Sequence, residues 1–108
     1  MKDILPEGIF VTEDRGAGEQ HKMSRLEIEE DGQKAILEFE LDGTGWMTIW
    51  HTEVPEALRG RGLATDLARA AFDYAKENEL RVDVICPFAQ HYLSEHPELK
   101  PIVGSKRS

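Results

Sequence analysis

Residues 46–78, WMTIWHTEVPEALRGRGLATDLARAAFDYAKEN, decide the fold of this chain. Residues 46–54 carry large apolar groups on both faces of an extended chain, which is typical of a central β-strand. From residue 63 to residue 78 the apolar side chains recur at the spacing of one helix face, and charged side chains occupy the other face. The stretch therefore predicts a strand, a turn and a long amphipathic helix.

The sequences on either side complete a sheet. Residues 25–29 and 34–41 alternate polar and apolar side chains around a turn with Asp-Gly, which predicts a β-hairpin. Residues 80–86 are rich in β-branched side chains and predict a strand after the helix, and a helical crossover makes that strand parallel to residues 46–54. The predicted fold class is α+β: an antiparallel meander continues into a parallel strand pair through a strand–helix–strand crossover, with helices packed on the sheet.

The terminal regions have weaker patterns. Residues 8–11 are compatible with a short edge strand, and residues 15–20 predict a flexible loop. Pro87 is expected to begin a short helix that runs to about residue 95, because proline suits the first helical position. Residues 100–108 are predicted to be frayed apart from residues 101–103.

The bulk properties limit the classes of function. The 108 residues predict one domain, with its core at about 23–103 and a weakly ordered N-terminal extension at 1–22. A formal net charge of -8 argues against nucleic acid and anionic membranes as partners and is compatible with an amine-bearing substrate, although solubility alone also explains it. The single cysteine, Cys86, allows no internal disulfide and favours a cytoplasmic protein.

The turn before the helix, RGRGLA at residues 59–64, is the main candidate for a binding site. A helix start presents about four backbone N–H groups without helical partners and roughly half a positive charge, and both favour a phosphate. Gly60 and Gly62 let an anion approach the backbone, while Arg59 and Arg61 add positive charge. The alternative is an ordinary glycine loop with solvated arginines. A Walker loop is excluded because Gly-Lys-Ser/Thr does not occur.

This turn resembles the pyrophosphate motif of the GNAT superfamily of N-acetyltransferases, Gln/Arg-x-x-Gly-x-Gly/Ala. A narrower similarity, over about residues 25–101, is to the small single-domain GNAT-like group that includes minimal acetyltransferase-like proteins of plants and vertebrates. It is carried by HTEVP at residues 51–55, RGRGLA, and the block CPF, YL and HP within residues 86–97. The long helices with which larger members build part of the acceptor site are missing here.

The resemblance implies that acetyl-coenzyme A (acetyl-CoA) lies where the parallel strands diverge. Its pyrophosphate is expected at the backbone of residues 61–64, and its pantetheine arm is expected to pair with the backbone near residues 52–54. The cofactor-binding residues implied in this way are Thr52, Val54, Arg59, Gly60, Arg61, Gly62, Leu63 and Ala64.

His51 and Cys86 are the catalytic candidates. A lysine amine is protonated at neutral pH and must lose a proton before it is acylated, and His51, near the end of its strand, suits a general base. Cys86 precedes a helix and is a candidate nucleophile or a proton donor to the departing thiolate. We expect the two side chains to face each other across the thioester. A structural histidine and a buried inert cysteine are the alternatives.

Other side chains have weaker cases. Glu53 shares the strand face of His51 and is a candidate to act through water, with a plain surface carboxylate as the favoured alternative. Tyr92 lies near the position where many GNAT enzymes place a general acid, but packing is favoured. The histidines do not have the spacing of metal ligands, so no metal is predicted.

The expected function is an acetyl-CoA-dependent N-acetyltransferase that moves an acetyl group to a primary amine, either a protein lysine or a small amine. The alternative is an acyl-CoA-binding sensor or adaptor without turnover. A structural domain without a ligand is a further alternative. A monomer or weak dimer is expected. The sequence leaves open the acceptor and the choice between direct transfer and an acyl-enzyme at Cys86.

Overall fold

The computed structural model describes residues 9–14 and 22–105. Within these residues one sheet contains five strands in the order β1-β2-β3-β4-β5. The strands are β1 (Ile9–Asp14), β2 (Lys22–Glu30), β3 (Gln33–Leu41), β4 (Trp46–Glu53) and β5 (Arg81–Val84), and the α-helices are α1 (Leu63–Glu77) and α2 (Pro87–Ser94). Short 3-10 helices cover Glu56–Leu58 and Pro97–Ile102.

The sheet is antiparallel from β1 to β4, whereas β4 and β5 are parallel. The α1 helix connects the parallel pair, and the predicted fold class is therefore confirmed. Residues 9–14 extend the predicted edge strand and pair along β2. Residues 1–8 and 15–21 of the predicted N-terminal extension, including the predicted loop at residues 15–20, lie outside the described residues.

The β2–β3 hairpin is closed by a two-residue turn. Asp31 has φ 53° and Gly32 has φ 76°, and Glu30 pairs with Gln33 across the strand ends. Two successive positive φ angles match the right-handed twist of the strands, and aspartate and glycine are residues that accept them. The local sequence therefore fixes this turn and the register of the hairpin.

The core lies between one face of the sheet and the apolar face of α1. Alternate residues of β2 and β3 point into it, because side chains along a strand alternate between faces. The helix contributes one stripe of small and large apolar residues. The fully buried large side chains include Leu26, Leu37, Phe39, Met47, Ile49, Leu58, Leu67, Phe72 and Val82.

Two predictions about the C-terminal part are corrected. The last strand was expected to reach Cys86 but β5 ends at Val84. Its end is set by the backbone, because the N–H groups of Ile85 and Cys86 both donate to the Ile49 carbonyl, at 2.9 and 3.0 Å, and the chain turns into α2. The tail was expected to be frayed from residue 100 except at residues 101–103, but Lys100 is also ordered, in the 3-10 helix that reaches Ile102. The bridge of Val103 to Val82 agrees with the exception made for residues 101–103.

Candidate functional site

The site begins where β4 and β5 separate. Their parallel pairing runs from Trp46 opposite Arg81 to Ile49 opposite Val84. On its other edge β4 continues along β3, but the register shifts so that Trp50 is an extra residue between the pairs of Ile49 and His51. Such a β-bulge bends the strand and increases its local twist. Because β5 ends at Val84, it provides no strand partner, among the described residues, for the part of β4 after Ile49.

A cavity of about 230 Å³ lies beside this end of β4. It is bounded by the end of the strand, the 3-10 helix that follows, the first turn of α1 and the first turn of α2. The residues that line it are Val54, Leu58, Arg59, Gly60, Gly62, Leu63, Ala64, Thr65 and Phe88. Six of the eight predicted cofactor-binding residues are in this set; Thr52 and Arg61 are not.

The glycine turn, which we define as residues 59–62, is open toward solvent. Gly60 has φ 86° and Gly62 has φ 78°, a conformation that residues with a Cβ rarely adopt. A Cβ built on either glycine would have no neighbour within 4 Å, so nothing of the described chain fills the space above the turn. Within the described residues this space is therefore left for an anion or another ligand.

The backbone of α1 points its N–H groups into the same region. Gly62 is the N-cap of α1, and no side chain of the described residues caps it. The first helical hydrogen bond runs from Asp66 N–H to the Gly62 carbonyl at 3.0 Å, so the N–H groups of residues 63–65 precede the helical pattern. Together with the helix dipole, these groups suit an anion.

The two arginines of the turn are used differently. Arg59 lines the cavity, and its Nε donates to the Val54 carbonyl at 3.2 Å, which links the turn to the end of β4. Arg61 points to the β2–β3 turn, where its guanidinium contacts Glu30 at 2.9 Å and Asp31 at 3.0 Å. These hydrogen bonds raise the pKa of Arg61 above its ordinary value.

Cys86 and His51 are not brought together. The sheet register places Thr52 opposite Leu37, whose side chain is in the core, and places His51 opposite Glu38. Thr52 and His51 therefore lie on opposite faces of the sheet. The partner of Cys86 is Thr52, with 3.3 Å between Sγ and Oγ1, and Cys86 is only 3% exposed. The expected facing pair of His51 and Cys86 is thus replaced by a pair of Thr52 and Cys86.

His51 lies on the sheet face opposite α1, which we call the polar face. Its Nε2 is 3.4 Å from Glu53 Oε1, and the two side chains are 54% and 67% exposed. This contact agrees with the prediction that both side chains share a face. The polar face also carries the acidic side chains Glu27, Glu38 and Glu40 and the basic side chain Arg25.

Tyr92 is on α2, and its side chain packs between α1 and the start of the 3-10 helix that follows α2. Its ring stacks on Phe72 with 5.8 Å between centroids and on His96 with 4.1 Å between centroids. It is 6% exposed, and burial raises its pKa above the ordinary value, although the guanidinium of Arg69 acts in the opposite direction. These contacts fit the packing role favoured from the sequence.

The sequence interpretation missed three features of the site. Thr65 lines the cavity from the first turn of α1, and its place at the predicted helix start was the signal that could have found it. Phe88 lines it from α2, and no local pattern distinguished it from a core residue. The contact of Thr52 with Cys86 joins residues 34 positions apart and required the strand register.

The described residues contain neither a cluster of metal ligands nor a helix that could span a membrane. In residues 9–14 and 22–105 no three histidine, cysteine, aspartate or glutamate side chains are grouped as metal ligands would be. The helices in this part of the chain are too short or too polar to cross a membrane.

Comparison with known families agrees with this geometry. A family model described as GCN5-related N-acetyl-transferase matches residues 25–102, which include the glycine turn, the end of β4 and Cys86. The chain belongs to this family. Members of the GCN5-related N-acetyltransferase family generally use acetyl-CoA as co-substrate and act on amine-bearing acceptors.

The chain is also similar to curated proteins in part of its sequence and to a solved structure in its fold. Protein NATD1 of Bos taurus is 44% identical over 64 residues, which are 59% of this chain and 57% of that protein. Protein NATD1 of Xenopus tropicalis is 42% identical over 64 residues, which are 59% of each protein. The match thus spans less than two thirds of these relatives. A solution NMR structure of a GCN5-like protein from Staphylococcus aureus shares the fold, with TM-score 0.59, 22% identity and coverage of 93% and 92% of the two chains.

Proposed function

We propose that this chain transfers an acetyl group from acetyl-CoA to a primary amine. The observation that carries the proposal is that one cavity lies beside an open glycine turn, the start of α1 and the end of β4, whose edge away from β3 is no longer paired with β5. An anion-binding turn next to a free strand edge suits a ligand that has both a diphosphate and an extended amide-containing arm. Acetyl-CoA has both parts, and it supplies the activated acetyl thioester.

The diphosphate is proposed to lie at the glycine turn. Gly60 and Gly62 leave space there, and the N–H groups of residues 63–65 supply hydrogen-bond donors. Arg59 adds a positive charge beside the cavity and connects the turn to Val54. The arm is proposed to follow the backbone from Val54 to Thr52, where β5 no longer pairs with β4.

The acceptor is proposed to approach from the polar face. A protonated amine is attracted by acidic side chains, and Glu38, Glu40 and Glu53 lie on this face near His51. Histidine is the side chain whose charge changes most readily near neutral pH. We therefore assign the removal of the amine proton to His51, with Glu53 holding the imidazole and stabilising its charged form.

The sulfur of coenzyme A, which leaves as the acetyl group is transferred, is proposed to lie on the side of β4 opposite the polar face. As the amide bond forms and the thioester bond breaks, the departing thiolate needs a proton. Cys86 and Thr52 share a hydrogen bond 3.3 Å long at the point where the strands separate, and either side chain is able to donate. The deep burial of Cys86 disfavours a nucleophilic role, since a nucleophile must be reached by the acyl group. A direct proton donor must likewise be reached by the thiolate, so this step is assigned to the half-buried Thr52, with Cys86 holding its hydroxyl and able to return its proton through their hydrogen bond.

Release of free thiol from acetyl-CoA, with lysine peptides and small amines as acceptors, tests the proposal. We expect His51→Ala to lower turnover by roughly 10²–10⁴-fold, the usual contribution of a positioned base, and to leave coenzyme A binding unchanged. Cys86→Ala and Thr52→Val test the proton donor, and each is expected to lower turnover with binding retained. Unchanged rates in all three variants would refute these roles.

A binding module without turnover is the second candidate. It is favoured by one observation: the two predicted catalytic side chains, His51 and Cys86, lie on opposite faces of β4. This candidate predicts that coenzyme A raises the melting temperature while no acceptor in the screen causes thiol release. Turnover by the wild type that depends on His51 excludes it.

A further inference from the structure

Arg61 connects two turns that are far apart in the sequence. Its two terminal guanidinium nitrogens contact separate carboxylates: Nη1 is 2.9 Å from Glu30 Oε1, and Nη2 is 3.0 Å from Asp31 Oδ2. The partners belong to the β2–β3 turn, 31 positions before Arg61 in the case of Glu30. Arg61 does not line the cavity, whereas its neighbours Gly60 and Gly62 do.

The glycine turn is held at its ends, where Arg59 donates to the Val54 carbonyl and the Gly62 carbonyl accepts from Asp66 N–H, but its centre depends on Arg61. Arg61 carries the only side chain between Gly60 and Gly62, and a Cβ on either glycine would meet no neighbour. Glycine has more backbone freedom to lose than any other residue, so a turn of this composition is costly to order. An ion-paired side chain at its centre restricts the backbone on both sides.

The partner turn, in contrast, is fixed by the sheet. Glu30 pairs with Gln33 at the ends of β2 and β3, and Asp31 and Gly32 close the hairpin with positive φ angles. Two-residue connections between paired strands favour type I′ and type II′ turns, and positive φ at both residues is the feature of type I′. The hairpin is therefore a suitable rigid support for the glycine turn.

We propose that Arg61 is a positioning residue, whose ion pairs with Glu30 and Asp31 hold the glycine turn in the shape that binds the diphosphate. The inference rests on the proposed function, in which that turn binds acetyl-CoA. It differs from the expectation that Arg61 itself contacts phosphate. In the competing arrangement Arg61 is paired with the two acids only while the ligand is absent. When coenzyme A binds, Arg61 leaves the acids and contacts the phosphate.

The two arrangements predict opposite signs when the acids are neutralised. Coenzyme A affinity is measured by calorimetry for the wild type, Arg61→Gln, and the double variant Glu30→Gln with Asp31→Asn. Positioning predicts that both variants bind more weakly, by roughly two- to tenfold given the modest strength of exposed ion pairs, and that the triple variant is no weaker than either. Tighter or unchanged binding by the double variant, with weaker binding by Arg61→Gln, overturns the proposal.

Glu29→Gln is the matched control. Glu29 is an exposed glutamate next to Glu30 on β2, but consecutive strand residues point to opposite faces. Either substitution removes one negative charge from this end of the hairpin, and only Glu30→Gln breaks a contact to Arg61. Binding by Glu30→Gln is therefore expected to be weaker than binding by Glu29→Gln, and equal binding contradicts the proposal.

Backbone order parameters of the ligand-free protein, measured by NMR relaxation at the amides of residues 60–63, provide a second readout. We expect lower order parameters in Arg61→Gln and in the double variant, and no change in Glu29→Gln. If the wild type does not bind coenzyme A, the proposed function fails, and the order parameters still decide whether Arg61 orders the turn. Order parameters that are the same in all variants overturn the positioning role.

Discussion

The β4 strand has two halves that differ in partners and in burial. Beside β5, Met47, Thr48 and Ile49 are buried in succession. Beyond the bulge at Trp50, His51 and Glu53 are exposed and Thr52 is half-buried. One continuous strand thus belongs to the core at one end and borders the candidate site at the other. The change from buried to exposed side chains occurs where β5 ends. The position of the second half therefore depends on the packing of the first half in the core.

The largest expected effect is on stability in the first half. Ile49 is fully buried between β3 and β5, so Ile49→Ala removes apolar burial and leaves a cavity. We expect the free energy of unfolding to fall by about 2–5 kcal/mol. Thr52→Ala, in the second half, loses one hydrogen bond to a thiol and should cost about 0.5–1.5 kcal/mol.

Urea denaturation of the two variants measures this difference. Thr52→Ala is the control, because it lies in the same strand and removes a side-chain contact but leaves no cavity in the core. If both variants lost the same free energy, the two halves would be equally important to the core, and the distinction between them would be wrong.

The next effect concerns ligand binding at the open end. Gly62→Ala and Gly32→Ala place the same methyl group on backbones with nearly the same φ, 78° and 76°, and neither methyl meets a neighbour. Both should lose about 1–2 kcal/mol of stability, the cost of a left-handed conformation with a Cβ. Only Gly62→Ala blocks the approach of a diphosphate, and losing one charge-assisted hydrogen bond lowers affinity by roughly ten- to a hundredfold.

Calorimetry with coenzyme A and thermal unfolding separate the two consequences. Equal loss of stability with a selective loss of binding in Gly62→Ala would support the site. Equal loss of binding in the two variants would mean that backbone strain, rather than the position of the glycine turn, controls affinity.

Most of the sheet and the helix around the paired half of β4 could be predicted from the sequence. Period-two alternation placed β2 and β3, the Asp-Gly pair placed their turn, and helical spacing placed α1, in each case within a few residues of the observed bounds. These signals are local, because each strand or helix must bury one face and each tight turn needs residues that accept positive φ. The glycine turn was found for the same reason.

The open half could not be predicted as fully. The facing of His51 and Cys86 was wrong because it requires knowing where the bulge falls and on which face each residue lies. A register shift of one residue moves every following side chain to the other face, and nothing in the sequence of β4 marks Trp50 as the extra residue. The partners of Arg61 likewise became visible only when the hairpin and the turn were placed together.

The smallest expected effect tests how α2, which bounds the open end, is held. Tyr92 anchors α2 by stacking on Phe72 of α1, and burial raises its pKa above the ordinary tyrosine value near 10. In the unfolded chain the phenol ionises near pH 10, whereas in the folded protein it keeps its proton to higher pH. The unfolded state therefore binds fewer protons in this window, and the free energy of unfolding falls as pH rises through it.

Tyr92→Phe removes the ionisable group and keeps the ring, so it isolates this contribution. Urea midpoints of the two proteins, measured from about pH 9 to about pH 11, should decline more steeply for the wild type. Lysines and the other tyrosine titrate in both proteins, so their effects cancel in the difference. Parallel profiles would mean that the phenol is solvated equally in the folded and unfolded states. The anchoring of α2 would then depend on the apolar ring alone, and the open end would be insensitive to alkaline pH.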